Sequence, residues 1–265
     1  MNQAPIMLSI AGSDPSGGAG IQADLKTATA LGVYGATVIT ALTAQNTLGV
    51  TGIHAVPTDF IAAQYDAVLA DLDVRAVKIG MLGSVEVVET VAAMLRRHPV
   101  PAVVLDPVMV ATSGDRLVPD DAEAAIRDLL LPLATVVTPN VPEAAALTGL
   151  PVGSEDEMVV AGHALVGLGA TYALVKGGHL GGTQSVDLLV SAGDVRRLEA
   201  PRIDTQNTHG TGCTLSSAVA SYIALGEPVG PAVSAAKDYL TRALVAGVEL
   251  RVGHGNGPVD HRVAP

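Results

Sequence analysis

The segment Asn207-Thr208-His209-Gly210-Thr211-Gly212-Cys213-Thr214 runs into Leu215-Ser216-Ser217-Ala218-Val219-Ala220, a small-residue helical pattern. Glycines at 210 and 212 let the backbone bend and approach an anion closely. The helix that follows presents unpaired N–H groups and the positive end of its dipole. Such a cradle suits the charge that develops on a phosphoryl group in transfer, so Gly210, Thr211, Gly212 and Cys213 are candidate catalytic positions. A glycine-containing helix start without a ligand is the plainer reading of so short a motif. Cys213, in the first turn of an anion-binding helix, is expected to have a lowered pKa and thiolate character. A thiolate there would accept a proton from a substrate hydroxyl; a small buried hydrophobe is the alternative.

Other chemistry-bearing residues follow apolar runs. Asp106 closes one such run, and Glu143 stands just inside a helix that starts at Pro139-Asn140-Val141-Pro142-Glu143. Both are magnesium-compatible carboxylates, since that ion takes one or two carboxylates and completes its shell with water and phosphate oxygens. Asn140 is also a candidate N-cap with Glu143 at the third helical position, a role compatible with a magnesium shell. Lys176, before Gly177-Gly178, offers a point charge for nucleotide phosphates. The opening loop, Ala11-Gly12-Ser13-Asp14-Pro15-Ser16-Gly17-Gly18-Ala19-Gly20, lacks the Gly-Lys-Ser/Thr ending of a Walker A loop and the spacing of a dinucleotide fingerprint. Its glycines allow close backbone approach to a substrate, and Asp24 lies on the helix that follows. His98, His163, His254 and His261 have no zinc-like spacing.

These positions require a scaffold that places strand ends together. Strand-like runs over 6–10, 36–42, 76–79, 102–105, 135–138, 172–176 and 186–190 alternate with helical patterns over 19–31, 59–72, 85–97, 120–131, 142–147 and 156–168. Further helices are expected over 212–225 and 231–250. The rhythm predicts one α/β domain over 1–265, a three-layer α/β/α arrangement with a mostly parallel central sheet flanked by helices. Ligands then bind at the carboxyl ends of the strands, where the motifs above fall. The tail 253–265, rich in Gly, Pro and His, is expected to be partly mobile.

Nearly half the chain is hydrophobic, yet it has one Phe and no Trp, so the core is aliphatic. A formal charge of −11 argues against nucleic-acid or anionic-membrane partners. One cysteine permits no internal disulfide and points to a reducing, cytoplasmic compartment. Residues 1–8 lack the pattern of a secretory signal. The uncharged stretch 27–53 is long enough for a membrane span, but four glycines, Gln45-Asn46 and several threonines make it helix end, strand and loop.

Taken together these segments resemble the ribokinase-like superfamily, and within it the hydroxymethylpyrimidine and phosphomethylpyrimidine kinases of thiamin biosynthesis. The resemblance rests on Ser9 to Asp14, Gly17 to Lys26, Thr43-Ala44-Gln45-Asn46-Thr47, Lys78-Ile79-Gly80-Met81-Leu82, Leu105-Asp106-Pro107-Val108-Met109, Thr138-Pro139-Asn140, Lys176-Gly177-Gly178-His179 and Asn207 to Thr214. It implies ATP and Mg2+ as cofactors and two successive transfers, of which the first makes a phosphate ester and the second a diphosphate. Gln45 would hydrogen-bond the pyrimidine, Met81 and Val108 would line its ring pocket, and Gly12 and Asp24 would complete the substrate site. Lys176, Thr208, His209, Gly210, Gly212 and Lys237 would serve ATP, with Asp106 and Glu143 organising magnesium largely through water. Many sugar and pyridoxal kinases of the superfamily carry Asp where Cys213 stands, so the cysteine favours the pyrimidine branch. A homodimer follows by analogy. A pyridoxine or pyridoxal kinase, with possible dual use, is the neighbouring reading, and a ligand-binding sensor without catalysis is the reading from another class.

Overall fold

The computed structural model describes residues 4–110, 119–178 and 180–263. The strands are β1 (Ile6–Ser13), β2 (Tyr34–Asn46), β3 (Gly49–Ala55), β4 (Val74–Ile79), β5 (Val103–Leu105), β6 (Val136–Val137), β7 (Tyr172–Lys176), β8 (Gln184–Val190) and β9 (Val195–Pro201), the inner ones built from apolar, β-branched runs. Among the described residues they form one sheet in the order β3-β2-β1-β4-β5-β6-β7-β8-β9. Strands β2, β1, β4, β5, β6 and β7 run parallel; β3, β8 and β9 pair antiparallel at the two ends. The chain leaves β1 for β2 on one side and returns to β4 on the other. A crevice therefore opens at the carboxyl end of β1, the switch point of the sheet.

Helices cover both faces, as the α/β/α expectation requires. The helices α1 (Gly20–Ala30), α7 (Thr211–Ala224) and α8 (Val229–Gly247) pack on one face, where Met7, Ala76, Val104, Val136 and Leu174 meet Leu215, Val219, Val233 and Tyr239. On the other face lie α2 (Thr58–Leu69), α3 (Val85–Arg97), α4 (Asp120–Ala125), α5 (Val141–Thr148) and α6 (Glu155–Gly167). There Leu8, Ile10, Val77, Ile79, Leu105 and Val175 meet Ile61, Val88, Val91, Ala144 and Leu165. Each Val, Leu, Ile or Met side chain among them contributes about 1.5–3 kcal/mol on burial, so the alternation of faces fixes strand register. A one-residue slip of β4 would drive Lys78 into the aliphatic layer of α2 and α3.

Local signals set several boundaries. Ser84 caps α3 by accepting from the Val87 amide, and Arg96 and Arg97 end it. Asn140 and Glu143 form a reciprocal capping box on α5, which Gly149 stops in the left-handed region. The helix expected over 120–131 departs from regularity: α4 widens into a π turn over Ile126–Leu130 and tightens into a 3-10 turn over Leu131–Leu133. Pro132, without an N–H, cannot continue an α ladder.

Two elements differ from expectation. The strands β3 and β9 are largely exposed edge strands, and β3 carries Gly49 and Gly52, so neither shows an apolar run. The tail is not loose over 253–263. The Gly255 amide bonds Thr47 Oγ1, Pro258 bridges to His209, the Asp260 amide bonds the Ala243 carbonyl, and Val259 and His261 are buried. No described helix is long and apolar enough to cross a membrane.

Candidate active site

A cavity of about 900 Å3 lies at the carboxyl ends of β1, β4, β5 and β7, against the first turn of α7. Its wall includes Gly12, Gln45, Met81, Asp106, Val108, Glu143 and Lys176, and the whole run from Thr208 to Cys213. Residues from both ends of the chain, Gly12 to Cys213, thus share one site.

At the helix end, Gly210 is the N-cap of α7 with φ +76°, and a Cβ there would overlap the Gly18 carbonyl oxygen. Only glycine meets both demands. The Gly212 and Cys213 amides follow as second and third helical positions, where an α-helix leaves N–H groups without an intrahelical acceptor. A Cβ on Gly212 would stand 3.4 Å from Lys176 Nζ and 3.5 Å from Asp106 Oδ2, so the bare backbone forms the cavity floor beside those charges.

His209 is anchored rather than free. Its Nε2 lies 2.8 Å from Asp14 Oδ2, and Asp14 also accepts from the amides of Ser16, Gly18 and Ala19. Burial would raise the Asp14 pKa, but the bonds from His209, Ser16 and Ala19 outweigh it and bring the carboxyl down to about 2. The loop between β1 and α1 is thereby fastened to the loop before α7.

Three charged groups meet at the ends of β5, β7 and the start of α5. Lys176 Nζ donates to Asp106 Oδ1 at 3.1 Å, and Thr138 and Ser216 hydroxyls donate to the same carboxylate. Burial works against the charged forms of both Asp106 and Lys176. Lys176 and Lys78 nonetheless hold the Asp106 carboxyl below its ordinary range, and Asp106 and Glu143 hold the Lys176 ammonium above its own. Glu143 goes the other way. Burial, with the Asp106 charge, pushes it up to about 7 against the pull of Lys176. Two carboxylates in one site are thus driven apart, Asp106 downwards by its lysines and Glu143 upwards chiefly by burial.

The remaining wall is suited to a flat ring. Thr40 Oγ1 donates to the Met81 carbonyl, and a Cβ on Gly12 would stand 2.7 Å from Met81 Cε, so the thioether lies flat over bare backbone. Gln45 projects its amide from β2, with Thr43 Oγ1 3.1 Å from its Oε1. Val108 completes the apolar side.

Three expectations change. Burial pushes the Cys213 thiol up to about 11, against the pull of Lys78 and with the push of Asp24 and Asp106. The helix end does not make a standing thiolate, because desolvation and two anions outweigh it. Asp24 does not reach the cavity wall; it is fully buried and bonded to Lys78, Ser9 and Ser217. Lys237 lies behind the wall, 2.7 Å from Asp187, whose other oxygen takes the Gly177 amide. Of the quoted motif residues, His179 lies outside the described residues. Asp14, Lys78 and Asp187 are site-building residues that the motifs alone do not single out. For the last two the signal was there, a charge inside an apolar strand.

The phosphomethylpyrimidine kinase family model matches residues 14–260. A hydroxymethylpyrimidine/phosphomethylpyrimidine kinase of Rhizobium meliloti is 57% identical over 257 residues, 97% of this chain and 96% of that one. A thiamine biosynthesis bifunctional protein of Geobacter sulfurreducens is 50% identical over 97% of this chain, which spans 52% of that longer protein. Among solved structures, the ADP complex of Bacillus subtilis pyridoxal kinase superposes with a TM-score of 0.90 at 37% identity, covering 98% of each chain. With a family match across nearly its whole length and this ribokinase-like fold, the chain belongs to the phosphomethylpyrimidine kinase family.

Proposed function

We infer that the cavity transfers the γ-phosphoryl group of ATP to 4-amino-5-hydroxymethyl-2-methylpyrimidine, and then to the monophosphate so formed, in thiamin biosynthesis. The observation that carries this reading is one cavity holding both an anion cradle and a ring-sized wall. The Gly212 and Cys213 amides and Lys176 face the same space as Gln45, Met81 and Val108. In the first transfer the substrate hydroxyl oxygen bonds to the γ-phosphorus as the bond to the β-phosphate bridging oxygen breaks. ADP leaves, and the hydroxyl proton is released. In the second, a phosphate oxygen of the monophosphate is the attacking atom, and no hydroxyl proton has to be removed.

The roles follow from position. Gln45 has a donor and an acceptor to match the edge of an aminopyrimidine, and Met81 and Val108 exclude water from its faces. Gly210, Thr211, Gly212 and Cys213 surround the transferring phosphoryl group with backbone, and Lys176 neutralises its charge. Thr208 and His209 form the nucleotide side, and Lys237 supports it through Asp187. Asp106 and Glu143 suit magnesium held through water and phosphate. No described cluster of three or more His, Cys, Asp or Glu would cage an ion, yet Asp106 and Glu143 line one cavity, which suits an ion completed by water and phosphate oxygens. Bound there with ATP, the ion would neutralise phosphate charge.

A single kinase domain working as a cytoplasmic homodimer completes the reading. Exposed Leu42, Leu48, Ile53 and Phe60 on β2, its hairpin and α2 support self-association, which light scattering would test. Pyridoxal-type phosphorylation is a second reading, favoured by the likeness to the Bacillus subtilis enzyme. Incubation with ATP and magnesium, followed by mass detection of mono- and diphosphorylated pyrimidine, tests the first reading. Side-by-side kcat/KM values for pyrimidine and pyridoxal separate the two.

A further inference from the structure

Directly beneath the first turn of α7 lies a charged cluster that takes no part in the wall of the cavity. Asp24 on α1 and Lys78 on β4 are both fully buried, and Lys78 Nζ is 2.9 Å from each Asp24 carboxylate oxygen. Ser9 Oγ donates to Asp24 Oδ2 at 2.5 Å. Ser217 on α7 donates its hydroxyl to Asp24 Oδ1 and stands one turn along the helix from Cys213. The contacts run from the sheet to the helix that carries the anion cradle: Lys78, Asp24, Ser217.

The surroundings fit this cluster closely. A Cβ on Gly80 would stand 2.9 Å from Lys78 Nζ, so a glycine leaves the room the ammonium fills. Stability alone gives such a pair little purpose, because exchanging a buried ion pair for apolar residues of like volume is often neutral or stabilising. What the pair does provide is direction. A carboxylate held on both oxygens by one ammonium and two hydroxyls has a fixed plane, and α7 is bonded to it one turn below the Gly212 and Cys213 amides.

We propose that Lys78 and Asp24 form a positioning unit for phosphoryl transfer, acting through Ser217 to aim the first turn of α7 at the transferring group. The proposal rests on the kinase reading above. It assigns Asp24 to the helix rather than to the substrate, and it gives Lys78 a place in the reaction without contact to any reacting atom.

The test compares the full-length protein with Ser217→Ala, Ser221→Ala and the double variant D24N/K78M, by ADP release at varied pyrimidine concentration. Ser217→Ala is expected to lower kcat about tenfold and leave the pyrimidine KM within about twofold, since the ring wall stands on other elements. Ser221→Ala removes a buried hydroxyl one turn further along α7, and is expected to leave kcat within about twofold. D24N/K78M removes both charges together and is expected to stay folded with kcat lowered about a hundredfold. The proposal is overturned if Ser217→Ala and Ser221→Ala lose kcat equally, if the loss appears in KM alone, or if a folded D24N/K78M turns over like the parent. Should the double variant fail to fold, the two serine variants decide. Failure of the kinase reading looks different, for then the unaltered protein itself makes no phosphorylated pyrimidine.

Discussion

Gly18 and Gly210 are in backbone contact beside the cavity wall, so close that a Cβ on Gly210 would overlap the Gly18 carbonyl oxygen. The seam is closed a second time by His209 and Asp14, 2.8 Å apart. The loop that leaves β1 and the loop that enters α7 therefore act as one body. The ring wall at Gly12 and the anion cradle at Gly210 are parts of the same joint, which is how one cavity holds acceptor and phosphate in fixed relation.

Gly210→Ala tests that joint. An alanine at φ +76° costs about 1–2 kcal/mol in backbone strain, which the fold can absorb. The overlap with Gly18 is less tolerable, because one loop must move away. A misplacement of about 1 Å at reacting groups costs on the order of a hundredfold in rate. The variant is expected to keep a native circular dichroism spectrum and lose at least about a hundredfold in kcat. Retention of a tenth of the parent rate would show that the joint is dispensable.

Lys176 is predicted to carry both stability and turnover, and the two can be separated. Its removal in Lys176→Met leaves Asp106 buried and without its nearest cation. Breaking one side of a buried pair typically costs about 3–5 kcal/mol, to be seen as a lowered urea midpoint. Adding Asp106→Asn removes the stranded charge and should recover most of that stability. Activity should not return, because the Lys176 phosphate contact and the Asp106 carboxylate are then both missing. Recovery of ADP release in the double variant would remove both residues from the reaction.

The Cys213 thiol, pushed up to about 11, is protonated at neutral pH in all but roughly one molecule in ten thousand. Alkylation by iodoacetamide at pH 7 should therefore be slower than for an unperturbed thiol of pKa near 8.5, by on the order of a hundredfold. The rate should still be rising at pH 10. A plateau reached below pH 8 would restore the standing thiolate and with it a resting general base.

The sequence was legible wherever the cause was local. The bounds of β7 and α3 matched because each is set by its own apolar pattern and cap, and Gly210 stood out because its motif needs no distant partner. The strands β3 and β9 were hidden because edge strands with glycine or charge acquire their shape from a neighbour. Asp24 shows the same difficulty at the site. Being next to a glycine-rich loop says nothing about which face of α1 it occupies, and its partner Lys78 is 54 residues away. The proton affinity of Cys213 departs from expectation for that reason: the helix end is visible in the chain, whereas burial and the charges of Asp24 and Asp106 come from packing. Lys78 and Asp187 could have been noticed as charges in buried strands, but their roles needed the fold.

The docked tail supplies a pH-dependent term whose sign follows from the burial of His261. Thr214 Oγ1 donates its only proton to the Gly210 carbonyl, so its 3.0 Å contact with His261 Nε2 requires the imidazole to donate. A neutral ring with its proton on Nε2 does this. Burial, with a smaller push from Lys26 and against Asp260, brings the His261 pKa down to about 4 from 6.5. Between those values the unfolded chain takes up a proton and the folded chain does not. The stabilisation is therefore complete above pH 6.5 and declines as the pH falls towards 4, by on the order of 3 kcal/mol. His261→Gln keeps a donor and abolishes the titration. Urea unfolding at pH 7 and at pH 4.5 should show a smaller loss of stability in the variant than in the parent. Equal losses would mean that the imidazole is not held neutral against α7, and that the acid sensitivity of the fold lies in its carboxylates.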